Sequence, residues 1–280
     1  MDECNLLESP KTIDWFVTSL CNLDCSFCYG PYPTNEKQDI AKQIAKQLIQ
    51  SKTKNVTLCG GEPFIKKDIE EIIDILSAGK KDVFVSTNGH FPNQLQSVID
   101  KLSGISISLD ASNEILTYQI RGEKVKFDKI LQSLLLVSKN QPHKLKITTV
   151  VSKKNLTDLE NIANLVSMYR PAVWRLLQFV PRMKGYEYQD EYMIKSDEFI
   201  NAIETLKSSY SQLNIHSSEI EYIDTCFIVD SFGNILSPAN QNYKIVGNCF
   251  EDNIDLCWSK YWTEKTIHHS NKIWMQEISQ

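Results

Sequence analysis

Residues 12–28 read TIDWFVTSLCNLDCSFC. The opening run, Thr12 to Thr18, is rich in β-branched and aromatic side chains and reads as a strand. Cys21, Cys25 and Cys28 follow at once, in the loop where parallel α/β folds place their chemistry. Similar short runs recur outward from this stretch at NVTLC (55–59), DVFVST (82–87), ISISL (105–109), KLKITTVV (144–151) and VWRLLQFV (173–180). Amphipathic stretches near 37–51, 67–78, 92–102, 126–138 and 157–169 alternate with them. Six strand–helix units imply a parallel sheet and fall short of the eight that close a barrel. The expected fold is therefore α/β, a partial (β/α)6 TIM-like barrel over residues 12–215. A helix near 196–209 leads to IDTCFIVDSFGNILSP (223–238), read as a hairpin turning at Ser231-Phe232-Gly233-Asn234. With Trp258, Trp262 and Trp274 in a mixed-charge tail, residues 216–280 are expected to form a small C-terminal hairpin-plus-helix extension capping the barrel.

Composition narrows the function classes. The 280 residues carry 30 basic against 35 acidic side chains, a net charge of −5, so a broad nucleic-acid-binding surface is not expected. The acidic start, MDECNLLESPK, lacks the basic and apolar regions of a secretory signal, and no apolar run approaches a membrane span. A cytoplasmic protein is expected. A chain of this length buries enough surface to fold without staples. Eight cysteines are too few for a disulfide scaffold, and three crowded together in a reducing compartment point to metal or redox chemistry.

The spacing Cys21-x3-Cys25-x2-Cys28 does not suit a structural zinc, which takes four ligands, typically in pairs. A four-iron cubane held by three thiolates leaves one iron open, as a substrate-binding cluster requires. Zinc completed by a distant residue, or three core cysteines without metal, are the plainer alternatives. Gly60-Gly61-Glu62-Pro63 after the second strand offers close backbone approach and an acceptor for an ammonium group, although such a sequence is also a common turn. Ser86 and Asn88 end the third strand, and Ser108 and Asp110 lie at the end of the fourth, where capping is the ordinary role. Arg121 is either a solvated charge before a helix or a fork for a carboxylate. Gln178 closes the sixth strand ahead of Pro181.

The cysteine triplet with Phe27 just before its last member resembles the signature of the radical S-adenosylmethionine (SAM) enzymes. The resemblance covers roughly residues 12–181. It implies that Cys21, Cys25 and Cys28 hold a [4Fe-4S] cluster and that SAM chelates the fourth iron. An electron from a donor such as flavodoxin or ferredoxin would then cleave SAM to methionine and a 5′-deoxyadenosyl radical that takes a hydrogen atom from the substrate. It also assigns SAM contacts to Phe27, Gly60, Gly61, Glu62, Pro63, Ser86, Asn88, Ser108, Asp110, Arg121 and Gln178.

Cys226, Cys249 and Cys257 lie where many relatives carry an auxiliary cluster, but Ala239 stands where those relatives commonly have cysteine after the hairpin proline. The alternatives are a second, open iron–sulfur cluster, a thiol such as Cys249 donating a hydrogen atom, and simple packing. Cys4 and Cys59 read as structural. The hairpin and the Gly247-Asn248-Cys249 element resemble peptide maturases with a degenerate auxiliary domain. Trp174-Arg175-x2-Gln178 compares with viperin-like enzymes acting on nucleotides or sugars. A ribosomal peptide is the favoured substrate, a nucleotide or sugar the alternative, and a non-catalytic iron–sulfur or zinc protein the remaining class.

Overall fold

The computed structural model describes residues 9–34, 40–219 and 226–261. Six strand–helix units are present as expected: β1 (Thr12–Thr18), α1 (Ala41–Leu48), β2 (Asn55–Gly60), α2 (Ile69–Ala78), β3 (Asp82–Thr87), α3 (Pro92–Val98) and β4 (Gly104–Ser108). Two helices, α4 (Glu114–Arg121) and α5 (Phe127–Asn140), fill the next crossover, and β5 (Leu145–Val151), α6 (Leu159–Tyr169) and β6 (Val173–Gln178) follow. Short helices α7 (Lys184–Glu187) and α8 (Gln189–Tyr192) and the longer α9 (Ser196–Ser209) lead to β7 (Ile215–Ser218). The chain then forms β8 (Ile228–Val229), β9 (Asn234–Ala239), β10 (Asn242–Asn248) and α10 (Ile254–Tyr261).

The described strands form one open sheet in the order β10-β9-β8-β1-β2-β3-β4-β5-β6-β7. From β1 to β7 all neighbours are parallel, and β8 pairs parallel to β1. The hairpin turns where expected and extends the barrel sheet itself, because β8 lies beside β1 and β9 and β10 continue antiparallel from it. Two strands differ from the sequence expectation. β7, Ile215-His216-Ser217-Ser218, adds a seventh parallel strand, and β10 completes the hairpin sheet. The hairpin Asp230 fixes its turn by accepting from the Phe232 and Asn234 amides (2.8 and 2.9 Å).

The two faces of the sheet differ in chemistry. Ile13, Trp15, Val17, Val56, Leu58, Val83, Val85, Ile105, Ile147 and Leu176 point to the helix layer and meet Ile44, Leu48, Ile72, Leu76, Leu134, Ile162 and Phe199 in the main core. The alternate positions Asp14, Thr57, Ser86, Ser106, Ser108, Lys146, Thr148, Arg175 and His216 face the other way and are half-buried. A parallel sheet covered on both faces would be apolar throughout. This alternation means that helices cover one face and the sheet curls around a polar interior. Asp14 sits in that interior, hydrogen-bonded to Thr57 and Cys226, and burial raises its pKa against the nearby Arg175 and Lys146.

Two core tryptophans make a paired prediction. Both are fully buried, but Trp174 Nε1 donates to Thr149 Oγ1 (3.0 Å), whereas Trp15 Nε1 has no partner among the described residues. Trp15→Phe removes an unsatisfied donor along with some packing, and Trp174→Phe breaks a buried hydrogen bond. Urea unfolding should show Trp174→Phe costing about 1 kcal/mol more than Trp15→Phe.

Candidate metal and cofactor site

Three loops at the carboxyl ends of β1, β2 and β3 are tied into one unit. In the first, the Leu23 amide donates to Cys21 Sγ (3.4 Å) and the Gly30 amide to Cys28 Sγ (3.3 Å). Hydrogen bonds to sulfur tune a metal-bound thiolate. Cys21 is exposed, and Cys25 and Cys28 are half-buried. Burial raises the thiol pKa values of Cys25, to about 12, and of Cys28, and the Arg121 guanidinium opposes the rise at both; Cys21 is exposed as a residue, but partial desolvation of its sulfur raises its thiol as well. The neighbouring protein charges therefore leave the thiols protonated, and a bound metal has to supply the charge that makes them ligands.

The second loop is the Gly-Gly-Glu-Pro turn. The Gly61 amide donates to the Thr18 carbonyl (2.8 Å) and the Glu62 amide to the Leu20 carbonyl (2.9 Å), which fastens this turn to the start of the cysteine loop. Gly60 holds φ at +124°, and a Cβ on Gly61 would lie 1.9 Å from the Leu20 carbonyl oxygen. The close approach that the glycines permit is thus to the chain's own backbone. Pro63 opens a short 3₁₀ turn, Pro63–Ile65, that Glu62 caps.

Glu62 is the centre of the unit. It is wholly buried and accepts from the Phe64 amide (3.1 Å), the Thr87 hydroxyl (2.8 Å) and the Asn88 amide (2.7 Å). A carboxylate has about four acceptor positions, so one remains for a ligand's ammonium group. Asn88 carries the connection onward: its Nδ2 donates to Asn22 Oδ1 (2.8 Å) and lies 3.8 Å from Cys21 Sγ. His90 backs Asn88. Its Nε2 accepts from the Lys126 amide (2.7 Å), which leaves the proton on Nδ1 to be donated to Asn88 Oδ1 (2.9 Å). Burial lowers the His90 pKa and keeps the ring neutral, so it acts as a brace with both nitrogens engaged. Thr87 and His90 were not among the site residues expected from sequence, because their roles depend on partners in other loops.

Burial raises the Glu62 pKa from 4.5 to about 7 despite its three donors. An unfolded chain releases this proton near 4.5 and the folded chain near 7, so between those values the unfolded state binds fewer protons. Stability of the metal- and SAM-free chain should therefore fall as pH rises from about 4.5 to about 7, by up to about 3 kcal/mol from this group. The effect is complete above pH 7. Denaturant midpoints measured across that window should show the decline, and Glu62→Gln should flatten it.

Asp110 and Arg121 form a buried ion pair, with Asp110 Oδ1 also accepting from the Val150 amide (2.8 Å). Arg121 lies in the last turn of α4, an element that sequence reading did not anticipate, and not in a loop before a helix. Asn113 caps that helix by accepting from the Leu116 amide (3.0 Å). Arg121 Nε is buried and has no partner among the described residues, and the guanidinium lies 5.7 Å from the Phe27 ring centroid. Phe27 packs on Tyr192 (5.6 Å between centroids), which packs on Phe179 (5.5 Å), and the Tyr192 hydroxyl is hydrogen-bonded to Ser26 Oγ (2.6 Å). Phe27 thus anchors the cysteine loop to the β6 side of the sheet.

Ser86 and Ser108 are half-buried at the carboxyl ends of β3 and β4, on the polar interior face. Gln178 is a correction. It shares the strand face of Trp174 and Leu176, which pack against helices, and its Nε2 donates to the Ile194 carbonyl (3.3 Å). The alternation of β6 turns it away from the interior, so the SAM contact expected of it does not fit.

The C-terminal cysteines are also separated. Cys226 packs with Phe16, Cys59, Ile228, Leu236 and Tyr243, while Cys249 and Cys257 join the helix-side core with Trp258. A common cluster of all three does not fit this placement. Cys249 borders a crevice with Gln47, Gln50 and Ser51 beside the end of α1, which does not suit the hydrogen-atom donor expected of it. Helix α10 does not cover the mouth of the barrel: Asp255 accepts from Ser51 Oγ (2.6 Å) and the Lys52 amide (3.0 Å), just before β2 begins. Its apolar face, Ile254, Cys257 and Trp258, seats it against the core. Cys59 is structural as expected, donating to the Trp15 carbonyl (3.4 Å). Cys4, Trp262 and Trp274 lie outside the described residues.

The donor set fits a cluster with an open iron better than zinc. Three thiols share one loop, and among the described residues no three His, Cys, Asp or Glu side chains close around a single ion. A tetrahedral zinc would gather its ligands on one metal, whereas thiolates that each take a different iron stand further apart. The orphaned Arg121 Nε and the remaining Glu62 acceptor position suit a ligand carrying both a carboxylate and an ammonium group.

An open parallel barrel with a three-thiol loop at β1 and a glycine–glutamate turn at β2 defines a radical SAM protein. The model of the Radical SAM superfamily matches residues 15–166, just over half of the chain, and the chain belongs to that family. Its members are enzymes that use a [4Fe-4S] cluster and SAM. The chain is 28% identical over 194 residues to the mycofactocin maturase MftC of Mycolicibacterium smegmatis, covering 66% of this chain and 48% of that protein. It thus spans about half the length of that relative. It is 24% identical over 254 residues to an S-adenosylmethionine-dependent nucleotide dehydratase of Flammeovirga pacifica, covering 83% of this chain and 84% of the relative. Among solved structures, Streptococcus suis SuiB bound to S-adenosylmethionine superimposes with a TM-score of 0.73 over 92% of this chain and 67% of SuiB, at 16% identity. SuiB bound to its precursor peptide SuiA gives 0.70 over 94% of this chain and 67% of SuiB, at 15% identity. No helix among the described residues is long and apolar enough to cross a membrane.

Proposed function

We propose that this chain is a radical SAM enzyme that modifies a ribosomal peptide, with Cys21, Cys25 and Cys28 as ligands of the [4Fe-4S] cluster. The observation that carries the proposal is the single hydrogen-bonded unit of cysteine loop, Gly-Gly-Glu-Pro turn and Asn88, set beside a guanidinium with an unspent donor. When bound, cluster and SAM supply a 5′-deoxyadenosyl radical that removes a hydrogen atom from the substrate. The chain's own residues bind and orient. Glu62 offers its free acceptor position to the SAM ammonium, and Arg121 Nε suits its carboxylate. Ser86 and Ser108 offer hydroxyls on the interior face. Binding geometry of this kind replaces a bimolecular encounter by a positioned one.

The peptide reading is supported by the maturase relative and by the fold shared with SuiB, a protein solved with its precursor peptide. A nucleotide substrate is the second reading. It is favoured by the dehydratase, which this chain matches over most of both lengths, and by Lys146 and Arg175 on the interior face. We further propose a reduced flavodoxin or ferredoxin as electron donor, a cytoplasmic setting for the free thiols, and a division into a barrel and an extension whose boundary, expected at 215/216, is moved past Ser218 so that β7 stays whole.

The test is anaerobic reconstitution with iron and sulfide, followed by SAM and dithionite. Formation of 5′-deoxyadenosine supports the enzyme, and its absence from a four-iron-loaded protein overturns it. Adding a short precursor peptide encoded beside the gene, or nucleoside triphosphates in parallel, then separates the substrates: the class whose addition yields a mass-shifted product is the substrate.

A further inference from the structure

The chain leaving β6 touches the cysteine loop at three places. The Gly185 amide donates to the Cys28 carbonyl (3.0 Å). Lys184 Nζ donates to the Asp24 carbonyl (3.1 Å) and pairs with the Asp24 carboxylate. Glu187 accepts from the Tyr32 hydroxyl. These contacts bracket the loop from the residue before its second cysteine to the tyrosine beyond its third. The approach is tight, since a Cβ on Gly185 would lie 3.0 Å from the Phe27 carbonyl oxygen and 3.3 Å from the Phe179 ring.

The same segment is held from the other side by the hairpin. The Met183 amide donates to the Gln241 carbonyl (2.8 Å), and Arg182 Nε donates to the Asn240 carbonyl (3.4 Å). The Arg182 guanidinium lies 5.3 Å from the Tyr243 ring, and the Tyr243 hydroxyl donates to the Tyr29 carbonyl (3.0 Å), one residue past Cys28. Met183 holds φ 52° and ψ −128°, a conformation that costs a non-glycine residue about 1–3 kcal/mol and persists only where surrounding contacts over-determine it.

We propose that residues 182–187, with the hairpin turn at Asn240 and Gln241 and with Tyr243, form a brace that holds the cysteine loop in its metal-binding shape, Lys184 being the positioning residue. The inference rests on Cys21, Cys25 and Cys28 being the cluster ligands. The loop from 19 to 34 has no helix or strand of its own to fix three thiols. Its rigidity must come from neighbours, and Lys184, Gly185 and Tyr243 reach the backbone at or next to Cys25 and Cys28. The ammonium of Lys184 also places a positive charge on a loop that becomes anionic when its thiolates are formed. The hairpin extension thereby serves the first cluster.

The experiment compares full-length reconstituted wild type with Lys184→Met, Lys184→Arg and Tyr243→Phe. Two quantities are read: the rate at which a chelator strips iron, and the electron paramagnetic resonance signal of the reduced cluster with and without SAM. Groups that support a metal ligand from outside typically contribute about 10–100-fold to metal retention. Lys184→Met should therefore lose iron about tenfold faster with an altered signal, Tyr243→Phe should move in the same direction, and Lys184→Arg should restore most of the retention. Equal iron loss and unchanged signals in Lys184→Met and Tyr243→Phe, with a loaded wild type, overturn the brace alone. A wild type that takes up no four-iron cluster overturns the ligand assignment and the brace with it.

Discussion

Cys25→Ala should reduce 5′-deoxyadenosine formation to the level of a protein-free blank, while the folded chain survives. Cys25 is one of three thiols in the loop, and the Asp110–Arg121 pair stands against the same loop, so no other described side chain replaces the lost ligand. Removing an outer-shell group typically costs 10–100-fold, and a ligand sets a larger loss, beyond about 100-fold. The stability cost is small by comparison. Cys25 is half-buried, and deleting one sulfur from such a position costs about 1 kcal/mol, so circular dichroism and the urea midpoint should change little. Cys257→Ala makes the matched control. Cys257 lies on α10 in the helix-side core, away from the cysteine loop, and its loss should leave 5′-deoxyadenosine formation intact. A Cys25→Ala protein that still cleaves SAM would remove the ligand assignment.

Strands β1 to β6 were legible because each carries a strong local signal, an apolar position every second residue between turn or helix patterns. The cysteine loop and the Gly-Gly-Glu-Pro turn were legible for the same reason, since their residues are contiguous. β7 was not, because Ile-His-Ser-Ser has no periodicity and becomes a strand only through pairing with β6. β10 is an edge strand with most side chains exposed or half-buried, so burial imposes little pattern on it. α4 is short and rests on its Asn113 cap. Gln178 was misplaced because a strand's alternation gives two faces but does not say which one is the interior. The three C-terminal cysteines illustrate the converse error: closeness in sequence suggested one cluster, but Cys226, just ahead of β8, packs on one face of the sheet, while Cys249, just after β10, and Cys257, in α10, pack on the other. The brace was invisible for a simpler reason. Lys184 and Asp24 are 160 residues apart, and no local pattern encodes their contact.

Asp110→Ala should be the most destabilising conservative truncation at the site, costing about 3–5 kcal/mol. Its carboxylate faces two groups at once, the Arg121 guanidinium and the Val150 amide. Asp110 and Arg121 are both buried, and among the described residues one guanidinium nitrogen already has no partner. Truncation would strip a buried cation of its hydrogen-bonded counter-charge, which is far worse than never having placed the pair there. Asp110→Asn should cost less, because its amide oxygen still accepts from Val150 while the charge is lost. Replacing both partners, Asp110→Leu with Arg121→Leu, should recover much of the stability, since matched apolar groups avoid the desolvation of both ions. That double variant separates folding from function. It should unfold near the wild-type urea midpoint yet gain little stability from added SAM, whereas the wild type should gain by linkage as SAM exceeds its dissociation constant. If the double variant is stabilised by SAM as strongly as the wild type, Arg121 serves the fold alone and its open nitrogen is not a carboxylate donor.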